Sequence, residues 1–548
     1  MPLKDLSAGA PATRNVDAVV VGAGMGGLYM LYRLREMGFS VQVIESGDDV
    51  GGTWYWNRYP GARCDIESMY YSFSFSRELQ QEWNWTERYA AQPEILRYIQ
   101  HVAERFNLRP HIQFETRVTS ATFDEEQLGW QVKTDHGETY QARFCIMATG
   151  SLSAANLPAI EGIETFKGDF YHTAQWPRDG VDLTGKRIGI IGTGSSGVQA
   201  IPLLARQASH LYVFQRTPNY CIPARNAPLQ PDYIARIKSQ YEDIGRRARA
   251  SASGVAYVGP AESPLKLPVE ERQAMYKRHW AVGGSVYSAT FPNLLISREE
   301  NDEATAFIRA QIKATVKDPE VAARLSPKHY LGTKRNCLGT DYYETYNREN
   351  VTLVDVKQTP ISRLTNTAVV CGDQQYELDC LVLATGFDAM TGSLLRIDIR
   401  GRGGVALKDK WADGPKNYLG LMVAGFPNLF IMTGPGTPAS LTNFVLAIEH
   451  HAEWISDCVH DLDRQGAALI EAREEDEARW ISHVNDVADM TLFPTANSWY
   501  LGANIPGKPR VFMPYVGGFA NYVARCAEAA SNGYHGFKLT PCKRPVEA

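Results

Sequence analysis

Two glycine-rich turns limit what this chain can fold into more than any other feature. The first is Gly22-x-Gly24-x-x-Gly27 and the second is Gly192-x-Gly194-x-x-Gly197, and each lies between an apolar run and a helical pattern. In such turns the glycines allow a tight bend, the close approach of a pyrophosphate and helix-on-strand packing, while the helix N-terminus faces the phosphates. The sequence therefore predicts two dinucleotide-binding units, each made of strand, turn, helix and strand. An ordinary tight turn is the alternative for either one alone.

The two units differ in the residue at the end of their second strand. The first ends in Glu45, about 20 residues beyond the glycines, where a carboxylate binds a ribose hydroxyl pair. The second ends in Arg216 and Thr217. A guanidinium grips a 2′-phosphate bidentately, whereas an acid would repel it. The first unit therefore suits an adenine dinucleotide with a free ribose and the second suits NADPH, although a lone arginine is often a plain surface residue.

Composition excludes several classes of protein. The 548 residues are too many for one core, so two or three domains are expected. The 61 acidic and 56 basic residues give a net charge of −5 without long runs, which argues against a nucleic-acid or membrane partner. Nine cysteines without a CxxC pair favour a reducing, cytoplasmic setting, and no metal site is indicated. We expect a monomer or a weak homo-oligomer.

An aromatic, glycine-rich loop follows the first unit. Gly51 and Gly52 allow the backbone to lie close to a flat ligand, and Trp54, Trp56 and Tyr59 can form the walls of its site. Three large aromatic side chains in a solvent-facing loop would be a liability, so burial is expected. A cluster in the domain core is the alternative to a ligand site.

The remaining patterns predict an α/β protein with two Rossmann-like domains and a helical insertion. Two apolar strands end in the similar tripeptides Ala148-Thr149-Gly150 and Ala384-Thr385-Gly386. These are the points where the chain is expected to pass from one unit to the other. Helical spacing of apolar residues fills the middle of the sequence, with Pro319 as a stop. The predicted limits are 1–150 and 386–548 for the first domain, 151–224 and 329–385 for the second, and 225–328 for the insertion.

A motif ahead of the second unit carries a family resemblance. Phe166-x-Gly168-x-x-x-His172-Thr173-x-x-Trp176-Pro177, with Gly52-x-Trp54 and Asp65 upstream, resembles the fingerprint of type I Baeyer–Villiger monooxygenases. The resemblance covers residues from about 15 to 540. Related flavin N- and S-oxygenating enzymes carry a similar run but usually lack the Trp-Pro ending. The loop 434–443 looks more like that of the phenylacetone and steroid monooxygenase branch than the cyclohexanone type, although Phe444 replaces a methionine of phenylacetone monooxygenase.

This resemblance implies FAD and NADPH as cofactors and a set of residues for each. The residues implied for FAD are Gly22, Gly24, Gly27, Glu45, Thr53, Trp54, Asp65, Tyr71, Val118 and Phe444. Those implied for NADPH are Thr193, Gly194, Ser195, Ser196, Gly197, Gln199, Arg216, Thr217, Lys334, Arg335 and Trp499. The substrate loop would present Pro438, Ser440 and Leu441 to a ketone.

The family reaction gives two of these residues a catalytic role. O₂ adds to the reduced flavin, and the resulting flavin peroxide must stay anionic to attack the ketone carbon, which gives an ester or lactone. Arg335 is permanently charged, so it can favour that anion and stabilise the oxyanion of the addition intermediate. Asp65 would orient Arg335. His172 fits a role in holding the domains better than acid–base chemistry.

Three other functions share some of these features. A flavin N-hydroxylase or S-oxygenase is the nearest, and Asp65 with Lys334 and Arg335 argues against it. A pyridine-nucleotide disulfide reductase has both glycine-rich turns but needs a redox cysteine pair. A non-catalytic NADPH-binding protein would not need the Arg335 and Asp65 pair.

Overall fold

A computed structural model describes residues 13–257 and 259–542, and it confirms the predicted α/β class. Each glycine-rich turn connects a strand to a helix, and the two strands belong to different sheets. In the first unit the helix Met25–Glu36 follows the strand Thr13–Val21, and in the second the helix Ser195–Gln207 follows Arg187–Ile191. Both units therefore have the predicted order of elements.

The first sheet has eight strands. Thr13–Val21 pairs in parallel with Val41–Ile44 on one side and Thr139–Met147 on the other. Its remaining strands are Ile112–Gln113, Val118–Asp124, Gly129–Thr134, Asp398–Arg400 and Leu429–Ile431. The last two come from the far end of the sequence, so the sheet is built from two separate parts of the chain.

The second sheet consists of five parallel strands. In spatial order they are Val351–Asp355, His210–Gln215, Arg187–Ile191, Cys380–Leu383 and Asp169–His172. Three smaller sheets complete the strands: Cys221–Pro223 with Cys337–Gly339; Ile361–Leu364, Ala368–Cys371 and Gln374–Glu377; and Ala467–Ala472 with Phe537–Pro541.

Helices cover the sheets and fill the middle of the chain. Outside the insertion they are Met25–Glu36, Thr53–Trp56, Arg77–Glu82, Gln92–Arg105, Ser195–Gln207, Tyr342–Thr345, Gly392–Leu395, Leu407–Lys410, Phe444–Arg464, Glu474–Asp489 and Phe519–Ser531. The insertion contributes Pro231–Ser239, Tyr241–Arg249, Val269–Val282, Ser285–Ser288, Arg298–Thr315 and Pro319–Leu325. Within the described ranges, no helix combines the length and apolar character needed to span a bilayer.

Three local features go beyond what the sequence patterns predicted. The helix Arg298–Thr315 ends ahead of Pro319, as expected, but Pro319 also begins the next helix. Asp318 caps that helix by accepting hydrogen bonds from the amides of Glu320 and Val321. Glu115 has a φ of 52° and turns the chain between the strands Ile112–Gln113 and Val118–Asp124. The fingerprint also contributes a strand, because Asp169–His172 is the edge strand of the second sheet.

The third glycine of the first turn has no room for a side chain. A Cβ at Gly27 would lie 1.8 Å from the carbonyl oxygen of Gly22, whereas a Cβ at the neighbouring Gly26 would make only ordinary contacts, the nearest at 3.6 Å to Met432. The helix can approach its strand this closely only because Gly27 lacks a Cβ.

We therefore expect opposite effects from alanine at adjacent positions. Gly27→Ala should lower the unfolding free energy by about 3 kcal/mol, because helix and strand must separate. Gly26→Ala should raise it by about 0.5 kcal/mol, because alanine reduces the freedom of the unfolded chain. Thermal unfolding of both variants measures this, and a Gly27→Ala protein as stable as Gly26→Ala would contradict the packing argument.

Candidate functional site

The first glycine-rich turn is tied to Glu45 through hydrogen bonds. The buried carboxylate of Glu45 accepts one bond from the Ala23 amide and one from the Gly47 amide, each 2.7 Å long. These bonds fix the acid at the end of its strand, beside the turn. The predicted ribose-binding acid thus lies next to the glycines predicted to bind phosphate, as its spacing suggested.

The aromatic loop packs directly against this turn. The Gly51 amide donates to the Ala23 carbonyl over 3.1 Å, and a Cβ at Gly24 would lie 3.4 Å from the α-carbon of Gly52. Trp54 then donates its indole N–H to the Tyr71 hydroxyl at 3.0 Å. Trp54 and Tyr59 are both largely buried, in the cores of different sheets, whereas Trp56 is half-buried. The expected burial is therefore observed for two of the three aromatic side chains.

Three other residues implied for FAD lie on three different elements. Thr53 is the exposed first residue of the helix Thr53–Trp56, and Val118 is the buried first residue of its strand. Phe444 begins the helix Phe444–Arg464 and packs on the core beside the first sheet.

The second glycine-rich turn has free space at Gly194, whereas Gly52 lies close to the corresponding Gly24 of the first turn. A Cβ added to Gly194 would meet no described atom within 4 Å, which leaves a cradle in front of the helix Ser195–Gln207. Ser195, Ser196 and Gly197 form the first turn of this helix. The Thr193 hydroxyl donates to the Thr217 carbonyl at 3.1 Å, so it connects the cradle to the end of the next strand. This arrangement fits a pyrophosphate.

Cations gather beside that cradle. Arg216 and Thr217 are exposed, and Lys334 is half-buried nearby. Burial lowers the pKa of Lys334, and the charges of Arg216 and Lys357 lower it further. Each contribution disfavours the ammonium, as expected of a pocket that receives an anion. Lys357 was missed by the sequence analysis, because it follows a different strand and only the fold brings it close.

Arg335 and Asp65 form a two-pronged ion pair across the two halves of the chain. The Arg335 Nε lies 2.6 Å from Asp65 Oδ2, and its Nη2 lies 2.7 Å from Oδ1. The side chains are 28% and 23% exposed, so each is still partly open to solvent. Burial by itself would lower the pKa of Arg335 and raise that of Asp65. The attraction between the two side chains outweighs burial, so the pKa of Arg335 is raised and that of Asp65 is lowered. Both groups therefore stay charged.

The substrate loop lies against this guanidinium. Arg335 Nη1 donates to the Ser440 carbonyl at 3.0 Å. Pro438 and Ser440 are buried, while Leu441 shares an apolar cluster with Trp499. The ring of Trp499 packs against that of Tyr500 at a tilt of 43°, with ring centroids 4.1 Å apart. The structure thus brings the predicted substrate loop, Trp499 and Arg335 to one place.

The fingerprint residues hold the second sheet to its neighbours. His172 accepts from the Ala174 amide at 3.0 Å through Nδ1, and its Nε2 lies 3.2 Å from the Thr385 hydroxyl. Burial lowers the pKa of His172 and keeps it neutral. Gly168 allows a close approach, since a Cβ there would lie 2.7 Å from the Asp379 carbonyl oxygen. Phe166 borders the core behind the second sheet, and Trp176 is buried in the same core as Tyr59.

Gln199 joins the two halves at a second point. Its side-chain oxygen accepts from the Tyr59 hydroxyl at 2.8 Å, and its amide nitrogen donates to the Arg63 carbonyl at 3.0 Å. Asn219 is a further connection that sequence reasoning missed: its amide donates to the Arg335 carbonyl at 3.2 Å. No motif marks Asn219, because its partner is a backbone atom far away in sequence.

Comparison with known proteins identifies the family. A family model described as pyridine nucleotide-disulphide oxidoreductase matches residues 19–291. A Baeyer–Villiger monooxygenase of Pseudooceanicola batsensis is 44% identical over 522 residues, which cover 94% of this chain and 95% of that protein. The chain belongs to the Baeyer–Villiger monooxygenase family. The predicted enzyme class, a monooxygenase that uses FAD and NADPH, is thereby confirmed.

Solved structures of Baeyer–Villiger monooxygenases agree with this fold over nearly all of the chain. An oxidized steroid monooxygenase bound to NADP is 51% identical, with a TM-score of 0.92 and coverage of 96% of this chain and 100% of that one. A closed cyclohexanone monooxygenase is 44% identical, with a TM-score of 0.95 and coverage of 97% and 100%. The higher identity to the steroid enzyme fits the predicted branch.

The depressed pKa of Asp65 leads to a prediction about acid stability. Asp65→Asn leaves the Arg335 guanidinium without its counter-charge and should lower the unfolding free energy by about 2 kcal/mol, allowing for partial exposure of the pair. A group with a lowered folded-state pKa stabilises the protein above its unfolded pKa of about 3.9. The difference from the wild type should therefore be constant from pH 7 to 5 and shrink below pH 4.

Thermal unfolding across this pH range measures the difference. Asp398→Asn is the matched control, because Asp398 pairs with Arg400 on the surface, where both side chains are more than 40% exposed. Its effect should be below about 1 kcal/mol at every pH. A loss for Asp65→Asn that equals the control would show that the pair contributes no special stability.

Proposed function

We propose that this protein inserts one oxygen atom of O₂ beside the carbonyl of a ketone, to give an ester or a lactone, with NADPH as the electron donor. NADPH and a proton supply the two electrons and two hydrogens that reduce the second oxygen atom to water. The observation that supports this most is the Arg335–Asp65 ion pair, in which a permanent cation contacts both the segment after the first glycine-rich unit and the substrate loop.

The residues present fit both cofactors. Glu45 and the first turn would hold the adenosine ribose and pyrophosphate of FAD. Trp54 and Tyr71, which bond to each other, would position the aromatic loop beside them. The open cradle at Gly194 and the cations Arg216 and Lys334 would hold NADPH. When bound, the reduced flavin activates O₂ and supplies the oxygen atom that is transferred.

Arg335 supplies the electrostatic part of the reaction. As the ketone carbon is attacked, negative charge develops on its oxygen, and a guanidinium held in place by Asp65 can stabilise that charge without reorganising. Comparable oxyanion donors lower the activation barrier by about 3–4 kcal/mol. Asp65 itself need not touch the substrate; it keeps the guanidinium oriented and charged.

The loop Pro438–Leu441 and Trp499 would form the ketone pocket. The resemblance of loop 434–443 to that of the phenylacetone and steroid branch supports a roomier pocket than that of cyclohexanone-type enzymes. A panel of cyclic, aryl and steroid ketones, with the esters identified by mass spectrometry, tests this. Faster turnover of small cyclic ketones than of bulky ones would contradict the branch assignment.

We also propose the domain limits 1–150 with 386–548, 151–224 with 329–385, and 225–328. The composition of the two sheets supports the first two and the six helices support the third. The nine free cysteines, eight of them buried, support a reducing, cytoplasmic setting. A monomer or weak homo-oligomer remains a proposal that sedimentation can test.

The role of Arg335 predicts a separation of the two half-reactions. Arg335→Ala should still bind FAD and consume NADPH, but ester formation should fall by at least about 10²-fold because the oxyanion loses its cation. Stopped-flow reduction of the flavin and ester yield per NADPH measure the two halves. Arg335→Lys is the control, since lysine keeps the charge but cannot make the two parallel hydrogen bonds to Asp65. It should recover only part of the ester yield. Ester formation near the wild-type rate in Arg335→Ala would remove Arg335 from the reaction.

The role of Arg216 predicts a change in cofactor preference. Arg216→Ala should raise the KM for NADPH by about 10-fold or more, since a charge-assisted hydrogen bond contributes about 1.5–3 kcal/mol, and leave the KM for NADH within about twofold. Arg206→Ala is the control, because Arg206 lies in the same unit but pairs with exposed Asp341. Equal losses for NADPH and NADH in Arg216→Ala would contradict the 2′-phosphate role.

A further inference from the structure

Two residues other than glycine adopt left-handed backbone conformations close to the substrate loop. Thr433 has a φ of 54° and Leu419 has a φ of 56°. This region is unfavourable for side chains with a Cβ, and a β-branched threonine is a clear outlier there. Such strain persists only where the surroundings hold it, and it concentrates at functional sites.

One buried pair of side chains holds both turns. The Thr433 amide donates to His451 Nδ1 at 3.0 Å, and His451 Nε2 lies 3.0 Å from the Tyr522 hydroxyl. The Tyr522 hydroxyl in turn donates to the Leu419 carbonyl at 2.7 Å. His451 and Tyr522 are fully buried, so no solvent competes for these bonds.

The donors and acceptors determine where each proton lies. Because Nδ1 accepts from an amide, a neutral His451 carries its proton on Nε2 and donates it to Tyr522, whose own proton goes to Leu419. Burial lowers the pKa of His451 well below its usual value, and the charge of His450 would lower it further. The chain of three hydrogen bonds is therefore fully satisfied without a charge.

The turn at Thr433 lies between the first dinucleotide site and the substrate loop. Its neighbour Met432 is 3.6 Å from where a Cβ at Gly26 would be, in the first glycine-rich turn. On the other side the loop continues to Ser440, whose carbonyl accepts from Arg335. A change in the turn at Thr433 would thus shift the carbonyl that Arg335 contacts.

We propose that His451 and Tyr522 are positioning residues for oxygen transfer, which hold the left-handed turn at Thr433 and thereby the substrate loop against Arg335. This inference rests on the proposed role of Arg335 for its effect on turnover, but the effect on the loop itself does not depend on that role. Neither side chain needs to touch the substrate.

The neighbouring histidine provides a matched control. His450 lies on the same helix and is also buried, but its Nε2 has no hydrogen-bond partner among the residues that the structure describes. His450→Leu and His451→Leu remove the same group from adjacent positions. Only the second removes the acceptor of the Thr433 amide.

The first measurement is hydrogen exchange in the FAD-loaded protein without ketone. In His451→Leu, and more weakly in Tyr522→Phe, amides of residues 433–441 should exchange at least about tenfold faster than in wild type, whereas His450→Leu should leave them unchanged. Thr433→Gly in the His451→Leu background should restore slow exchange, because glycine adopts this φ without support. Unchanged exchange in both His451→Leu and Tyr522→Phe would overturn the proposal.

The second measurement is turnover. His451→Leu should keep NADPH-driven flavin reduction within about twofold of wild type, while the ketone KM rises and ester yield per NADPH falls about fivefold or more. Adding Thr433→Gly to the His451→Leu variant should recover the ester yield per NADPH. Failure of this rescue, or an equal loss in His450→Leu, would overturn the positioning role. If wild type itself makes no ester, the proposed function fails, yet the exchange experiment still decides whether His451 holds the loop.

Discussion

The site depends on one ion pair between residues that are far apart in sequence. Asp65 follows the first glycine-rich unit, and Arg335 follows the insertion in the second, yet their side chains meet through two short hydrogen bonds. Taking a guanidinium partly out of water is unfavourable, so it stays charged there only with a partner of opposite charge. The Ser440 carbonyl and the Asn219 amide attach the substrate loop and the second unit to the same residue.

The two dinucleotide units show how similar backbones can select different ligands. Both turns place helix amides in front of a strand, which suits any pyrophosphate. In the proposed assignment, selection comes from the charge beyond the next strand. Two amides hold the Glu45 carboxylate, whereas burial and the charges of Arg216 and Lys357 lower the pKa of Lys334. The acid would disfavour a 2′-phosphate and the cations would favour one.

Strain and rigidity are arranged around the same centre. The left-handed turns at Thr433 and Leu419 are unfavourable by themselves, but the buried His451–Tyr522 pair holds both. The fingerprint adds rigidity elsewhere, since its edge strand and His172 connect the second sheet to the turn at Thr385. Precise placement of Arg335 against a developing charge needs a loop that does not reorganise during the reaction.

Much of the fold was predictable from the sequence. The spacing of glycines, the apolar runs of strands and the charged residue after the second strand of each unit are all local signals. The two units, the difference between Glu45 and Arg216, and the family fingerprint all depend on residues within short stretches. The sequence patterns did not mark the helix N-cap at Asp318 or the left-handed turn at Glu115, because each depends on the local backbone conformation. Only the tertiary structure revealed Lys357, Asn219 and the His451–Tyr522 pair. Their partners are backbone atoms or distant side chains, and hydrogen bonds of that kind leave no periodic pattern in a sequence.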